Sequence, residues 1–170
     1  MLRGTNHLIM DPSERKKMSV QYFRQAYEAQ THGDIGEAIA LYQKSIETFP
    51  TPEALTFLGW AMSFLGKFQE AIDICKKAIE LDPEFGNPYN DIGAYLIEIG
   101  KWDEAIPYLE KAAEAPRYDT RWFSRYNLGR IYEQKGMILR ARQCYQQAVE
   151  ENPEYVLARE SLDHLKYILN

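Results

Sequence analysis

The chain has 170 residues, of which 45% are hydrophobic, 26% charged and 13% aromatic, with ten glycines and eight prolines. This composition excludes collagen, low-complexity disorder and the small disulfide-rich class, and the length allows one core or a short repeat array without covalent staples. A net charge of −5 gives no overall drive toward nucleic acid or anionic membrane, and Cys75 and Cys144 sit in no CxxC or histidine-clustered setting, so neither a zinc site nor a disulfide is expected.

At the start of the chain, Leu8-Ile9-Met10 is the longest apolar stretch. It is too short for a secretory h-region, and no run in the chain reaches the roughly 18 apolar residues of a membrane span. The expectation is a cytoplasmic protein without membrane association, its residues 1 to about 10 loose. Asp11-Pro12-Ser13-Glu14 then reads as a helix start, with a capping carboxylate, proline at the first helical position and an acid in the first turn.

From there the chain repeats itself. Gly33, Gly66, Gly100 and Gly136 recur at intervals of 33, 34 and 36 residues and open GDIGEA, GKFQEA, GKWDEA and GMILRA. Seven residues before them stand Ala26, Gly59, Gly93 and Gly129, and the units close near Pro50, Pro83, Pro116 and Pro153. Apolar residues between the marks follow three-and-four spacing, as in Leu55, Leu58 and Met62, then Ala71, Ile72, Cys75, Ala78 and Ile79. That period predicts two amphipathic helices per unit and no strands. The marking glycines end the first helix in the left-handed conformation, while Gly59, Gly93 and Gly129 let helices approach closely. Pro107 is expected in the first turn of its helix, where a missing N–H costs nothing. Cys75 and Cys144 are expected in one equivalent slot of their second helices, as small buried thiols.

These marks resemble the tetratricopeptide repeat. The second unit carries the pattern on Leu55, Leu58-Gly59, Met62, Ala71, Cys75 and Pro83, the third on Tyr89, Ile92-Gly93, Leu96, Ala105 and Leu109, and the fourth on Arg125, Leu128-Gly129, Tyr132, Ala141, Tyr145 and Pro153. The first is looser, with Tyr22, Ala26, Ala38, Tyr42 and Pro50. Departures are Arg125 in an aromatic place, the displaced Pro116, and two extra residues near 117–121, which are expected to distort the last junction. The resemblance implies an all-α, right-handed α-solenoid: an N-terminal segment at 1–18, repeats at 19–51, 52–85, 86–121 and 122–153, and a capping helix at 154–170. It further implies a concave groove, lined by first helices, that binds peptide segments or helices of other proteins.

Residues one step beyond the core stripe of each first helix are turned by about 100° toward that groove. They form ladders of Phe23, Thr56, Asn90 and Tyr126; of Tyr27, Trp60, Ala94 and Arg130; and of Val20, Glu53, Asn87 and Phe123, with Phe57, Asp91 and Asn127 bordering the first. The candidate site therefore comprises an aromatic half, Phe23, Tyr27, Phe57, Trp60 and Phe64, and a polar half, Asn87, Asn90, Asp91, Asn127 and Arg130, with Tyr126 at its end. Aromatics suit anchoring, and asparagine can hold an extended backbone; the same aromatics can instead pack between neighbouring helices. The family's carboxylate-clamp set is absent, only Asn127 falling on it.

No catalytic constellation, metal-ligand spacing or phosphate loop occurs, so no enzyme activity, cofactor or metal is expected. Residues 117–142 carry a net charge of +5, including Arg117, Arg121, Arg125 and Arg130. The leading expectation is a noncatalytic adaptor for a protein or peptide. The alternatives are a bacterial secretion or assembly chaperone, a nucleic-acid or phosphate binder acting through 117–142, and a unit that self-associates through its array ends. Nucleic acid is not expected, because the arginines can pair with acids of adjacent repeats and the aromatics lie mostly elsewhere.

Overall fold

The computed structural model describes residues 10–168. The expected loose segment before Met10 lies outside the described residues. Among the described residues nine helices follow in order: α1 (Pro12–Thr31), α2 (Ile35–Thr48), α3 (Pro52–Phe64), α4 (Phe68–Leu81), α5 (Asn87–Glu98), α6 (Trp102–Glu114), α7 (Arg121–Gln134), α8 (Ile138–Glu151) and α9 (Val156–Ile168). The Asp11 side chain caps α1, accepting from the Ser13 N–H at 3.2 Å, and the Thr51 hydroxyl caps α3, accepting from the Ala54 N–H at 3.1 Å. Gly33, Gly66, Gly100 and Gly136 have φ of +88°, +71°, +76° and +71°, so each hairpin turns where only glycine is unstrained.

Within a hairpin, the mid-helix small residue of the first helix faces the second. A Cβ on Gly129 would lie 2.4 Å from Cε1 of Tyr145, one on Gly93 2.4 Å from Cδ2 of Leu109, and one on Gly59 2.8 Å from Sγ of Cys75. Beside these contacts Ala38, Ala71, Ala105 and Ala141 are wholly buried. Successive hairpins stack, and α3, α5 and α7 also touch in sequence, so first helices form one face of an α-solenoid. Helix α9 closes it, with Leu165 buried against Ala141 and Tyr145.

Two expectations change. The slot of Cys75 is held in the fourth hairpin by Tyr145, and Cys144, one residue earlier, is half-buried; counting four residues on from Ala71 and Ala141 gives this register directly. Pro107 stands in the second turn of α6, beyond the orphan donors. Its ring is exposed, which leaves the unmatched Asp103 carbonyl on the solvent side of the helix. The expected distortion of the last junction takes a definite form. The linker folds back along the preceding junction in one isolated parallel bridge, the Gly86 N–H donating to the Arg117 carbonyl and the Arg117 N–H to the Glu84 carbonyl, both at 3.1 Å. Tyr118 follows it inward, building a small second core with Tyr89, Ala112 and Ala115. Only glycine fits at 86, since a Cβ there would lie 2.3 Å from that of Tyr118.

Candidate functional site

The aromatic half of the predicted groove is a continuous chain of rings. Centroid separations are 5.2 Å for Phe23–Phe57, 5.8 Å for Tyr27–Phe57, 5.7 Å for Phe57–Trp60 and 5.5 Å for Trp60–Phe64. Phe23 and Phe57 are half-buried against the core and pack between hairpins. Tyr27, Trp60 and Phe64 are 47%, 40% and 58% exposed, leaving aromatic surface open on α1 and α3.

The polar half is a hydrogen-bonded chain. Arg130 donates to Asn127 Oδ1 at 3.3 Å, Asn127 Nδ2 donates to Asn90 Oδ1 at 3.4 Å, and Asn90 Nδ2 reaches Asp91 Oδ1 at 3.5 Å. Asn127 is buried, so its amide holds α7 to α5. Tyr126 turns toward the end of the array, with centroids 5.6 Å from Tyr145 and 5.3 Å from Tyr155.

Between these halves lies a cavity of ≈ 430 Å³, lined by Phe57 and Trp60 from α3, Asn87, Asn90 and Asp91 from α5, Tyr118 from the linker and Phe123 from α7. It unites five of the predicted residues, Phe57, Trp60, Asn87, Asn90 and Asp91. Phe23, Tyr27, Phe64, Tyr126, Asn127 and Arg130 are not part of its lining, and Arg130 instead lines a separate cavity of ≈ 290 Å³ with Trp102 and Glu133. Tyr118 and Thr120 join the larger cavity only because the linker folds back. The extra residues near 117–121 were the sole sequence signal of them.

Asp91 is the chemically distinctive group of this cavity. Burial pushes its carboxyl up to about 7, opposed by the hydrogen bond from Asn90. The side chain is half-buried by surface exposure, so within the cavity wall it is partly desolvated. Neighbouring Cys75, Tyr95 and Tyr118 are all raised by burial, so each is neutral near pH 7.

The basic residues are engaged one by one. Arg117 pairs with Glu53 at 3.0 Å and with Asp82, and its guanidinium lies 5.2 Å from the Phe85 ring centroid. Arg121 donates to the Ala115 carbonyl at 2.8 Å, and Arg125 pairs with Glu151 at 2.5 Å and donates to Gln147 at 3.3 Å. Lys135 pairs with Asp103. Among the described residues no three His, Cys, Asp or Glu side chains group to hold a metal ion, and no helix is long and apolar enough to cross a membrane.

Comparison with known proteins bears on the whole array. Tetratricopeptide repeat profiles match residues 52–85 and 122–155, and a second such profile matches residues 74–106. The chain is 35% identical over 88 residues to small glutamine-rich tetratricopeptide repeat-containing protein 2 of Mycosarcoma maydis, a match covering 51% of this chain but only 25% of that protein. It is 29% identical over 117 residues to the photosystem I assembly protein Ycf3 of Prochlorococcus marinus, covering 62% of this chain and 68% of that one. A solved structure described as a functional characterization of Pseudomonas aeruginosa pilF superposes with a TM-score of 0.84 over 91% of this chain and 70% of that chain; at 20% identity the likeness is one of fold.

Proposed function

Because the chain belongs to the tetratricopeptide repeat family, we propose that it is a noncatalytic scaffold that binds a segment of another protein across its first-helix face. The carrying observation is the cavity between α3, α5 and α7, where the exposed rings of Trp60 and Phe123 stand beside hydrogen-bonding asparagines. Its volume is within the usual range of binding pockets, and convergent aromatic and polar groups are what such pockets use. A groove of this kind takes an extended peptide, one side chain entering the cavity while Tyr27 and Phe64 offer apolar surface beyond it. A second reading, an assembly chaperone, is favoured by the likeness to a photosystem assembly protein and uses the same groove. The ion pairs of Arg117 and Arg125 speak against a phosphate-binding surface, since those charges are already matched.

Selection of random peptides displayed on phage tests the reading. Selected peptides bind the full chain, and Trp60→Ala combined with Phe123→Ala weakens them about tenfold or more while the helical circular-dichroism signal is retained. Equal affinity for the double variant, or no selectable peptide, contradicts it.

A further inference from the structure

Among the described residues, Asp91 is an acid with no cation paired to it, in a place where a protein rarely leaves one. It lines the aromatic-walled cavity on the first-helix face, and the contact given to its carboxylate among the described residues is the Asn90 amide at 3.5 Å. The ionisable groups around it are a thiol, Cys75, and two phenols, Tyr95 and Tyr118, all neutral in this setting. Arg130, the cation at the far end of the hydrogen-bonded chain, is spent on Asn127 and faces the smaller cavity. The other nearby arginines are engaged as well, Arg117 with Glu53 and Asp82 and Arg121 with the Ala115 carbonyl. The site thus has the components that recognise a cation, a partly desolvated carboxylate and aromatic rings, but contains no cation of its own.

We propose that the cavity is a specificity pocket for a basic side chain, so that the segment bound by this protein carries an arginine or lysine whose head group pairs with Asp91 between Trp60, Phe57 and Phe123. This inference rests on the groove reading above and names the chemistry of its occupant. Charge complementarity carries it at two scales. Within the pocket, the side chain of the guest supplies the positive charge that the fold omits, and its methylenes lie along the aromatic rings, as long basic side chains do on apolar surface. Over the whole molecule the net charge is −5. This field favours approach of a basic segment. A neutral apolar guest would fill the same volume but leave the acid unpaired, to be neutralised only by taking up a proton. Burial disfavours the charged form of Asp91, a cost that a cation paired with it would offset.

The test uses the full chain and fluorescein-labelled peptide pools that differ in one central residue, arginine, lysine, citrulline or norleucine, with flanking positions randomised over uncharged residues. Anisotropy at about 0.15 M salt is expected to give the arginine and lysine pools about tenfold tighter binding than the citrulline and norleucine pools. In Asp91→Asn the preference shrinks to about twofold or less, while Asp73→Asn, which removes an exposed charge on α4, leaves it intact. Citrulline binding as tightly as arginine, or an arginine preference that survives Asp91→Asn, overturns the proposal. If those peptides still lose affinity in Trp60→Ala, the groove reading stands without a basic-residue pocket. If no pool responds to Trp60→Ala, both fall.

Discussion

The first and fourth hairpins solve one packing problem with different chemistry. In the first, Tyr42 on α2 donates to Gln30 at 2.9 Å and its ring lies 5.6 Å from Phe23. In the fourth, Tyr145 on α8 donates to Glu133 at 2.7 Å and its ring lies 5.6 Å from Tyr126. Geometry is conserved within the molecule, but the acceptor is a buried amide in one and a half-buried carboxylate in the other. Beyond the shared pair, Phe23 leads to Phe57 and on to the exposed Trp60, whereas Tyr126 leads to Tyr155 at the end of the array. Phe23 and Tyr126 thus pack within and between hairpins, while the recognition proposed above is assigned to Trp60 and Asp91.

The severest challenge to the equivalence is to crowd both hairpins at once. Ala38 and Ala141 are wholly buried at the same crossing, so Ala38→Leu and Ala141→Leu each cost about 3 kcal/mol in denaturant unfolding. A gap of more than about 1 kcal/mol between them would show that the two crossings are not alike. Tyr42→Phe and Tyr145→Phe separate the acceptors. Removing the Tyr42 hydroxyl strands the Gln30 carbonyl oxygen on a buried side chain whose Nε2 already lacks a partner, so about 2 kcal/mol is lost. Removing the Tyr145 hydroxyl leaves a carboxylate that water can reach, and about 1 kcal/mol is lost. The reverse order in thermal melts would place Glu133 deeper than its geometry allows.

The smallest effect concerns Asp91, on α5 between the two end hairpins. Asp91 titrates near 7 in the folded chain but near 3.9 when unfolded, so between those values the folded state holds a proton that the unfolded state has released. Its contribution is favourable below about pH 4 and is lost as pH rises through about 7. Asp91→Asn cannot ionise, and therefore melts a few degrees above the parent at pH 8 and level with it near pH 4. Cys75, Tyr95 and Tyr118 around it are raised by burial and do not titrate in this window. Identical melting differences at both pH values would contradict the burial of that carboxyl.

The repeat was legible because its marks are local. Gly66 or Gly100 signals a left-handed turn whatever surrounds it, and the glycine–alanine crossings recur at fixed distance from those turns. The pocket was half legible. Trp60, Asn87 and Asn90 follow from helical phase alone, since a residue one step beyond a buried stripe must face the neighbouring surface. Tyr126 shares that phase, yet the large ring of Tyr145 opposite Gly129 draws it toward the array end, a preference set by the partner helix. Asn127 is another residue that phase alone misplaces: it serves as a buried tie to Asn90 rather than a free donor. Tyr118 depends on the pairing of Arg117 with the 84–86 backbone, a contact between distant segments that no periodicity encodes.

Amide hydrogen exchange of the full chain, with and without a phage-selected peptide, tests the account most directly. Protection is expected to concentrate in α3, in α5 and across residues 118–123, the segments that line the pocket. Protection confined to α2, α4, α6 and α8 would place the partner on the opposite face and contradict the account.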